Sequence, residues 1–240
     1  MKEFIKIDTH THSSGVSKCS RVTCEELIDQ KIALGYDGAV LTNHCQAWYY
    51  QPEEHSAWAK NFLEEYERGR QYAKARNFPF LLGIEITLNE PHYADWLVYG
   101  VTEEFLRDVP APYRLKQREL FEICKTYGMV MVQAHPYRQM PGEVEYMHGI
   151  EINCTPGDLQ KAEEVIAFAR QNKRLVTCGT DYHGADRDFF GGMRIPKEIE
   201  TGVEFAQYLL SATETNIFLA DNHLTLSTFA RKKQLRNKKQ

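Results

Sequence analysis

The sequence predicts an α/β protein whose strands close, or nearly close, into a barrel. Short apolar runs at 4–7, 38–41, 80–86, 96–101, 129–132, 149–152 and 175–177 have the length and composition of strands. Charged stretches with helical periodicity, 24–34, 53–76, 113–127 and 158–172, lie between most of them. The polar residues best suited to chemistry fall at the ends of the apolar runs. Strand–helix–strand succession means parallel pairing with helices packed outside. About seven such units in 240 residues suit one barrel better than two domains. An open doubly wound sheet is the alternative, because alternation alone does not establish closure.

Each element has its own local signal. Thr23 followed by Glu26 forms a capping box ahead of 24–34, and Asp158 stands before the amphipathic run to 172. The 80–86 run is apolar except for Glu85 and reads as a buried strand. No internal repeat, Gly/Ser linker or low-complexity block interrupts residues 1–230, which read as a single domain. The last ten residues, 231–240, carry six Lys/Arg and no acid, the composition of a solvated, frayed tail.

Composition removes several classes of function. With 42% apolar and 26% charged residues, the chain is ordinary for a soluble globular protein. A net charge of −4 disfavours, without excluding, a nucleic-acid partner. No apolar run approaches the ~18 to 20 residues of a membrane span, so no membrane partner is expected. The start, Met1-Lys2-Glu3-Phe4, lacks a signal-peptide apolar region. Six scattered cysteines read as reduced thiols, and the expected location is cytoplasmic. Their spacing also rules out a four-cysteine zinc ribbon.

Five polar sites stand at or near strand ends. They are Asp8-Thr9-His10-Thr11-His12, Thr42-Asn43-His44, Gly83-Ile84-Glu85-Ile86, Gln133-Ala134-His135-Pro136 and Gly179-Thr180-Asp181-Tyr182-His183. If the strands are parallel, all five emerge on the face where barrel enzymes place active sites. Alternate side chains of an extended chain point the same way, so His10 with His12, and Asp181 with His183, can each converge on one centre. Imidazole and carboxylate without thiolate suit Zn²⁺, Mn²⁺ or Fe²⁺. Glu85, an acid inside an apolar strand, is costly to bury unless paired or ligated, and its two oxygens could bridge two cations. Any one of these residues taken alone reads as a hydrogen-bonded or ion-paired side chain. Together they read as a metal site.

In this order the five motifs, spanning residues 8 to 183, resemble those of the PHP family, named for polymerase and histidinol phosphatase domains. The resemblance implies a distorted seven-stranded (β/α) barrel. It also implies a two- or three-metal cluster, of Zn, Mn or Fe, that hydrolyses phosphate esters. His10, His12, Glu85 and Asp181 would hold one ion, Glu85 and His135 a second, and His44 with His183 a third. The sequence departs from the family pattern in three places. Ser17 and Lys18 stand where a further ligand is often found, and Asn43 replaces an acid. His92, in a loop, is the only histidine between Glu85 and His135.

No Gly-x-Ser-x-Gly elbow or Walker loop offers another chemistry. A small phosphorylated substrate would want a cationic partner, for which Lys18, Arg21, Arg138 and Arg194 are candidates. The rival readings are an amidohydrolase-like deacylase, which also uses a His-x-His on its first strand, and a non-catalytic nucleic-acid or polymerase accessory module anchored by the basic tail. The sequence carries no signal for oligomeric state.

Overall fold

The structure, a computed structural model, describes residues 3–184 and 190–219, and the backbone of 222–227. The basic segment 231–240 lies outside the described residues. The strands are β1 (Phe4–Thr11), β2 (Gly38–Leu41), β3 (His44–Cys45), β4 (Phe80–Leu88), β5 (Ala94–Tyr99), β6 (Val130–Gln133), β7 (Gly149–Asn153), β8 (Leu175–Gly179), β9 (Gly191–Pro196), β10 (Glu214–Leu219) and β11 (Asn222–Ser227). The helices are α1 (Cys24–Ala33), α2 (His55–Lys74), α3 (Glu103–Asp108), α4 (Gln117–Thr126), α5 (Pro156–Leu159), α6 (Ala162–Asn172) and α7 (Gly202–Ser211). The strands form one sheet in the order β11-β10-β9-β1-β2-β4-β5-β6-β7-β8, with β3 beside β4.

The architecture is mixed α/β with a nearly closed, barrel-like sheet. Among the described residues its eleven strands exceed the seven expected. The additional ones are the two-residue β3 and an antiparallel extension, β9 to β11, running off the edge of β1. β9 escapes a sequence reading because it starts Gly191-Gly192 and ends in Pro196. Gly192 is required there, since a Cβ would lie 2.1 Å from the Ile7 carbonyl oxygen.

A second departure is strand direction. β5 runs antiparallel to both β4 and β6, so its N-terminal end lies at the face where the parallel strands end. The pairing with β5 also carries β4 on to Leu88, which keeps Glu85 inside the strand, as expected.

Helices hold this sheet through apolar stripes at helical spacing. Trp58, Ala59 and Phe62 of α2 join Ile84 and Ile86 of β4, while Leu27 and Ile28 of α1 join Ala39 and Leu41 of β2. Val165 and Ala169 of α6 pack with Ile150, Ile152 and Val176. Burial of each large side chain contributes about 1.5–3 kcal/mol. The capping box of α1 forms as expected, with Glu26 N donating to Thr23 Oγ1 at 3.2 Å and Thr23 N to Glu26 Oε2 at 2.8 Å.

Closure between β1 and β8 uses a few polar contacts in place of a ladder. His12 N donates to Tyr182 O at 2.9 Å, and Tyr182 N to His10 O at 3.2 Å. The fully buried Asp8 carboxylate accepts from His10 N at 3.1 Å, Thr180 N at 3.0 Å, the Thr180 hydroxyl, and Lys31 Nζ at 2.5 Å. Burial pulls the Lys31 ammonium below its ordinary pKa, and Asp8 opposes that pull. The ammonium also lies 3.9 Å from the centre of the Tyr182 ring.

Removing one partner of a buried ion pair leaves an uncompensated charge, at a cost of about 3–5 kcal/mol. Lys31→Ala is therefore expected to lower unfolding free energy by about that amount in urea titration. A loss below about 1 kcal/mol, typical of exposed pairs, would remove Asp8 and Lys31 from the closure.

Candidate metal centre

The site sits at the mouth of the barrel, where β1, β3, β4, β5, β6 and β8 bring their polar residues together. His10 and His12 leave the end of β1 on the same side, with ring centroids 5.0 Å apart. The parallel pairing of β3 with β4 puts His44 opposite Glu85, with Nδ1 and Oε2 2.8 Å apart. His135 follows β6, and Asp181 and His183 follow β8. His135 and Asp181 both have left-handed backbone, with φ of 26° and 53°. Such residues are uncommon and strained, and are found where a side chain must be aimed.

These side chains form three overlapping groups of ligand atoms: His10, His12, Glu85 and Asp181; Glu85, Asp95 and His135; and His12, His44 and His183. All seven ligand candidates read from the sequence are in these groups. Asp95 was not among them. It stands at the start of β5, and the expectation of parallel strands looked only at strand C-termini. Asp95 Oδ1 accepts from Thr87 Oγ1 at 2.6 Å, and its other oxygen lies 3.9 Å from His135 Nε2.

The residues fit divalent cations. His10 Nε2, His12 Nε2, His44 Nδ1, His135 Nδ1 and Glu85 Oε2 are buried without a hydrogen-bond partner, a costly arrangement unless something else satisfies them. His10 Nε2 lies 3.3 Å from Glu85 Oε1 and 3.5 Å from Asp181 Oδ1. His12 Nε2 lies 3.3 Å from both Glu85 Oε2 and Asp181 Oδ1. Two donors at about 2.1 Å from one tetrahedral ion would themselves be roughly 3.4 Å apart.

Surrounding hydrogen bonds set which nitrogen faces the centre. Glu151 on β7, fully buried, accepts from His10 Nδ1 at 2.9 Å, from His135 N at 3.0 Å and from Asn153 Nδ2 at 3.1 Å. A carboxylate only accepts, so His10 carries a proton on Nδ1 and turns Nε2 toward the centre. Ser17 does the same for His12: its hydroxyl donates to Asn43 Oδ1 at 2.9 Å and so accepts from His12 Nδ1 at 3.3 Å.

The same bonds explain why Asn43 is an amide. Ser13 Oγ donates to Glu65 Oε1 at 2.6 Å and needs a donor in return, which Asn43 Nδ2 supplies at 3.0 Å. An aspartate could not donate there. Glu151 was missed by sequence reading, although residues 149–152 repeat the string Gly-Ile-Glu-Ile found around Glu85.

The charges are strongly coupled. Burial alone would neutralise Glu85 and Asp181, but facing histidines, His10 foremost, hold both carboxyls well below their usual range. Burial and the neighbouring His183 and His44 rings push His12 well below its ordinary value. Burial raises Asp95, with Glu85 adding to it.

A cleft of about 680 Å³ opens onto the groups, lined by His44, Asp95, His135, Asp181, His183 and Arg138 among others. Arg138 donates through NH2 to Asp181 Oδ2 and through Nε to Asp158 Oδ2, both at 2.8 Å. Cys19 is also on the cleft wall. Its Sγ lies 3.1 Å from His183 Nε2 and 3.2 Å from the Tyr49 hydroxyl. Burial opposes ionisation of this thiol, but hydrogen bonds from His183 and His44 bring its pKa down to about 5.

Lys18 is exposed beside that wall, its Nζ 5.7 Å from the centre of the Tyr49 ring. Arg21 is exposed too, its backbone N donating to His183 O. Arg194 is not at the site. It pairs with Lys6 across β1 and β9, four residues before His10 or roughly 13 Å along the strand, and lies 5.9 Å from the Phe218 ring. The antiparallel course of β9 carries it away from the cleft. His92 bonds Met140 O at 3.0 Å, outside the three groups.

No family model matches the chain, and no curated protein matches it in sequence. Solved structures do match in shape. PsfC of Pseudomonas syringae is 20% identical with a TM-score of 0.65, over 92% of this chain and 93% of PsfC. A two-domain protein from Bacteroides vulgatus, containing a predicted PHP-like metal-dependent phosphoesterase, is 19% identical with a TM-score of 0.61 over 90% of this chain. The chain shares their fold. It spans 65% of the length of the two-domain protein. An amidohydrolase from Chromobacterium violaceum, solved with bound sulfate and no metal, is 15% identical with a TM-score of 0.58, over 90% of this chain and 99% of its own.

Loss of an outer hydrogen bond to a metal-binding histidine typically costs 10–100-fold in affinity. Glu151→Gln is therefore expected to weaken Zn²⁺ binding by about that factor in competition with a chromophoric chelator. Unchanged affinity would show that His10 does not depend on Glu151 for its orientation.

Proposed function

We propose that this chain is a metal-dependent phosphoesterase that hydrolyses a small phosphorylated substrate at this cleft. The observation that carries the proposal is Glu85, one carboxylate shared by two donor groups, beneath a cleft whose wall presents Arg138. His10, His12, Glu85 and Asp181 would hold one ion and Glu85, Asp95 and His135 a second. Bound there, divalent ions supply an acidified water and positive charge for the phosphoryl oxygens.

The chain's own residues do the rest. Glu151 and Ser17 fix the ring orientations before substrate arrives, so that little reorganisation is needed. Asp158 and Asp181 hold the Arg138 guanidinium at the wall, as a fixed positive charge for a phosphoryl group. Lys18, at the rim, is the weaker partner: an exposed ammonium is well hydrated and less fixed.

The deacylase reading is favoured by one observation, the shared fold of the Chromobacterium violaceum amidohydrolase. Turnover of p-nitrophenyl phosphate against N-acyl amino acids, with Mn²⁺ or Zn²⁺ added, separates the two. Hydrolysis of the acyl substrates alone would overturn the phosphoesterase proposal. The nucleic-acid module predicts salt-sensitive DNA binding that depends on 231–240, with no turnover.

His10→Ala and Asp181→Ala are each expected to abolish hydrolysis and lower metal content by elemental analysis, with circular dichroism largely unchanged. Near wild-type kcat with full metal content in either variant would contradict the site. Arg138→Ala should reduce kcat/KM for phosphate esters at least tenfold, about 1.4 kcal/mol for one lost charge-assisted contact, and by more than Lys18→Ala. Steady-state kinetics giving the reverse order would move the phosphate position to the rim.

A further inference from the structure

The two histidines of β1 are oriented by different kinds of group. His10 gives an Nδ1 proton directly to a buried carboxylate, that of Glu151. His12 Nδ1 meets a hydroxyl, Ser17 Oγ, which can donate as well as accept. A hydroxyl alone does not decide which ring nitrogen faces the centre. His44 N takes one lone pair of Ser17 Oγ, at 3.0 Å, which leaves one lone pair and one proton for His12 and Asn43. With Asn43 Oδ1 turned toward Ser17, the proton goes to Asn43 and the lone pair to His12 Nδ1–H. With the amide reversed, Asn43 Nδ2 would take the lone pair and Ser17 would donate to His12 Nδ1. The ring hydrogen would then sit on Nε2, the nitrogen that faces Glu85 and Asp181. Two bonds hold the amide the right way round. Ser13 N donates to Oδ1 at 2.8 Å, and Ser13 Oγ accepts from Nδ2 at 3.0 Å. Ser13 Oγ is an acceptor there because its one proton goes to Glu65 Oε1, at 2.6 Å.

We propose that Glu65, on α2, is a positioning residue for His12, acting through Ser13, Asn43 and Ser17. It does at a distance what Glu151 does by contact for His10. This deepens the metal-dependent reading above and rests on it. Glu65 belongs to none of the three donor groups, yet it is only 3% exposed. A carboxylate is costly to bury unless it is bonded, and this one is bonded to the turn that follows His12. That turn is shaped to receive it. A Cβ on Gly15 would lie 2.1 Å from Glu65 Oε2, so only glycine leaves room for the carboxylate. Asn61, one helical turn before Glu65, donates to Gly15 O at 3.0 Å, so α2 grips the turn at two points. Behind the carboxylate, Arg68 bonds its second oxygen and lies 2.9 Å from Glu25 of α1. In a buried chain of this kind each bond fixes the direction of the next, so the acceptor at its end orders the whole.

The test uses the full chain and two readings that do not depend on turnover. In chelator-stripped protein labelled with ¹⁵N-histidine, long-range ¹H–¹⁵N correlation at alkaline pH shows which nitrogen of His12 carries the proton. Competition with a chromophoric chelator gives the Zn²⁺ affinity. The wild type is expected to carry the proton on Nδ1. Glu65→Met, of similar length but without an acceptor, should populate the Nε2–H form and bind Zn²⁺ about tenfold more weakly. Glu65→Gln keeps an oxygen for the Ser13 hydroxyl and should hold the Nδ1 proton, with affinity within about threefold of wild type. Gly15→Ala alters no bonded side chain but displaces the carboxylate, and should behave as Glu65→Met does; it serves if Glu65→Met does not fold. An Nδ1 proton and unchanged Zn²⁺ affinity in Glu65→Met or Gly15→Ala would overturn the proposal, whatever stability was lost, and leave Glu65 an anchor for α2 alone. Equal damage from Glu65→Gln and Glu65→Met would overturn it too. A wild type that binds Zn²⁺ but turns over no phosphate ester would sink the functional reading and leave this one to the tautomer measurement.

Discussion

The Asp8 carboxylate holds together two strands that no regular ladder joins. β1 and β8 carry four of the candidate ligands between them, yet their union rests on Tyr182, on the Thr9 hydroxyl's bond to Cys178 O and on the bonds that Asp8 gathers from His10, Thr180 and Lys31. Were those strands to part, His10 and His12 would no longer face Asp181. The charge on Asp8 is costly to bury, and Lys31 reaches in from α1 to balance it, which ties the helix layer to the ligand strands. Asp8 therefore supports the site without being part of it. It appears in no donor group, although its place two residues before His10 invites that reading.

Around this closure the protein accumulates carboxylates. Glu85, Asp95, Glu151 and Asp181 approach the same few imidazoles. Histidines hold Glu85 and Asp181 ionised despite burial, while Asp95, farther out and beside Glu85, is pushed the other way. Such a balance suits a site meant for cations, since protonation of the histidines competes with ligation. The hydrogen-bond chain from Glu65 on α2 through Ser13, Asn43 and Ser17 to His12 extends this organisation to a surface helix.

Much of this was legible in the sequence because it is written in local pattern. The seven apolar runs are strands, the four periodic stretches contain helices, and the ligand candidates from His10 to His183 converge. What escaped did so for identifiable reasons. Asp95 is found at the wrong end of its strand for a parallel sheet, and strand direction is set by pairing partners instead of by composition. β9, with glycines, an arginine and a proline, is stabilised by its neighbours and not by its own residues. Arg194 looked suitable by residue type, but the antiparallel return of β9 takes it to the other end of β1. Cys19 was set aside with the other cysteines, since nothing in its neighbours distinguishes an exposed thiol at a cleft from five buried ones.

The left-handed backbone at His135 and Asp181 bears on how this protein can change. Each such residue costs about 1–3 kcal/mol, set against bonds such as that from His135 N to Glu151 and that from Arg138 to Asp181. Glycine would relieve the strain at either position and remove the donor with it. Selection for a sturdier fold and selection for a working cleft therefore pull in opposite directions at these two residues. A laboratory search for thermostable variants, run without an activity screen, would be drawn to these positions and would return well-folded proteins with an incomplete centre.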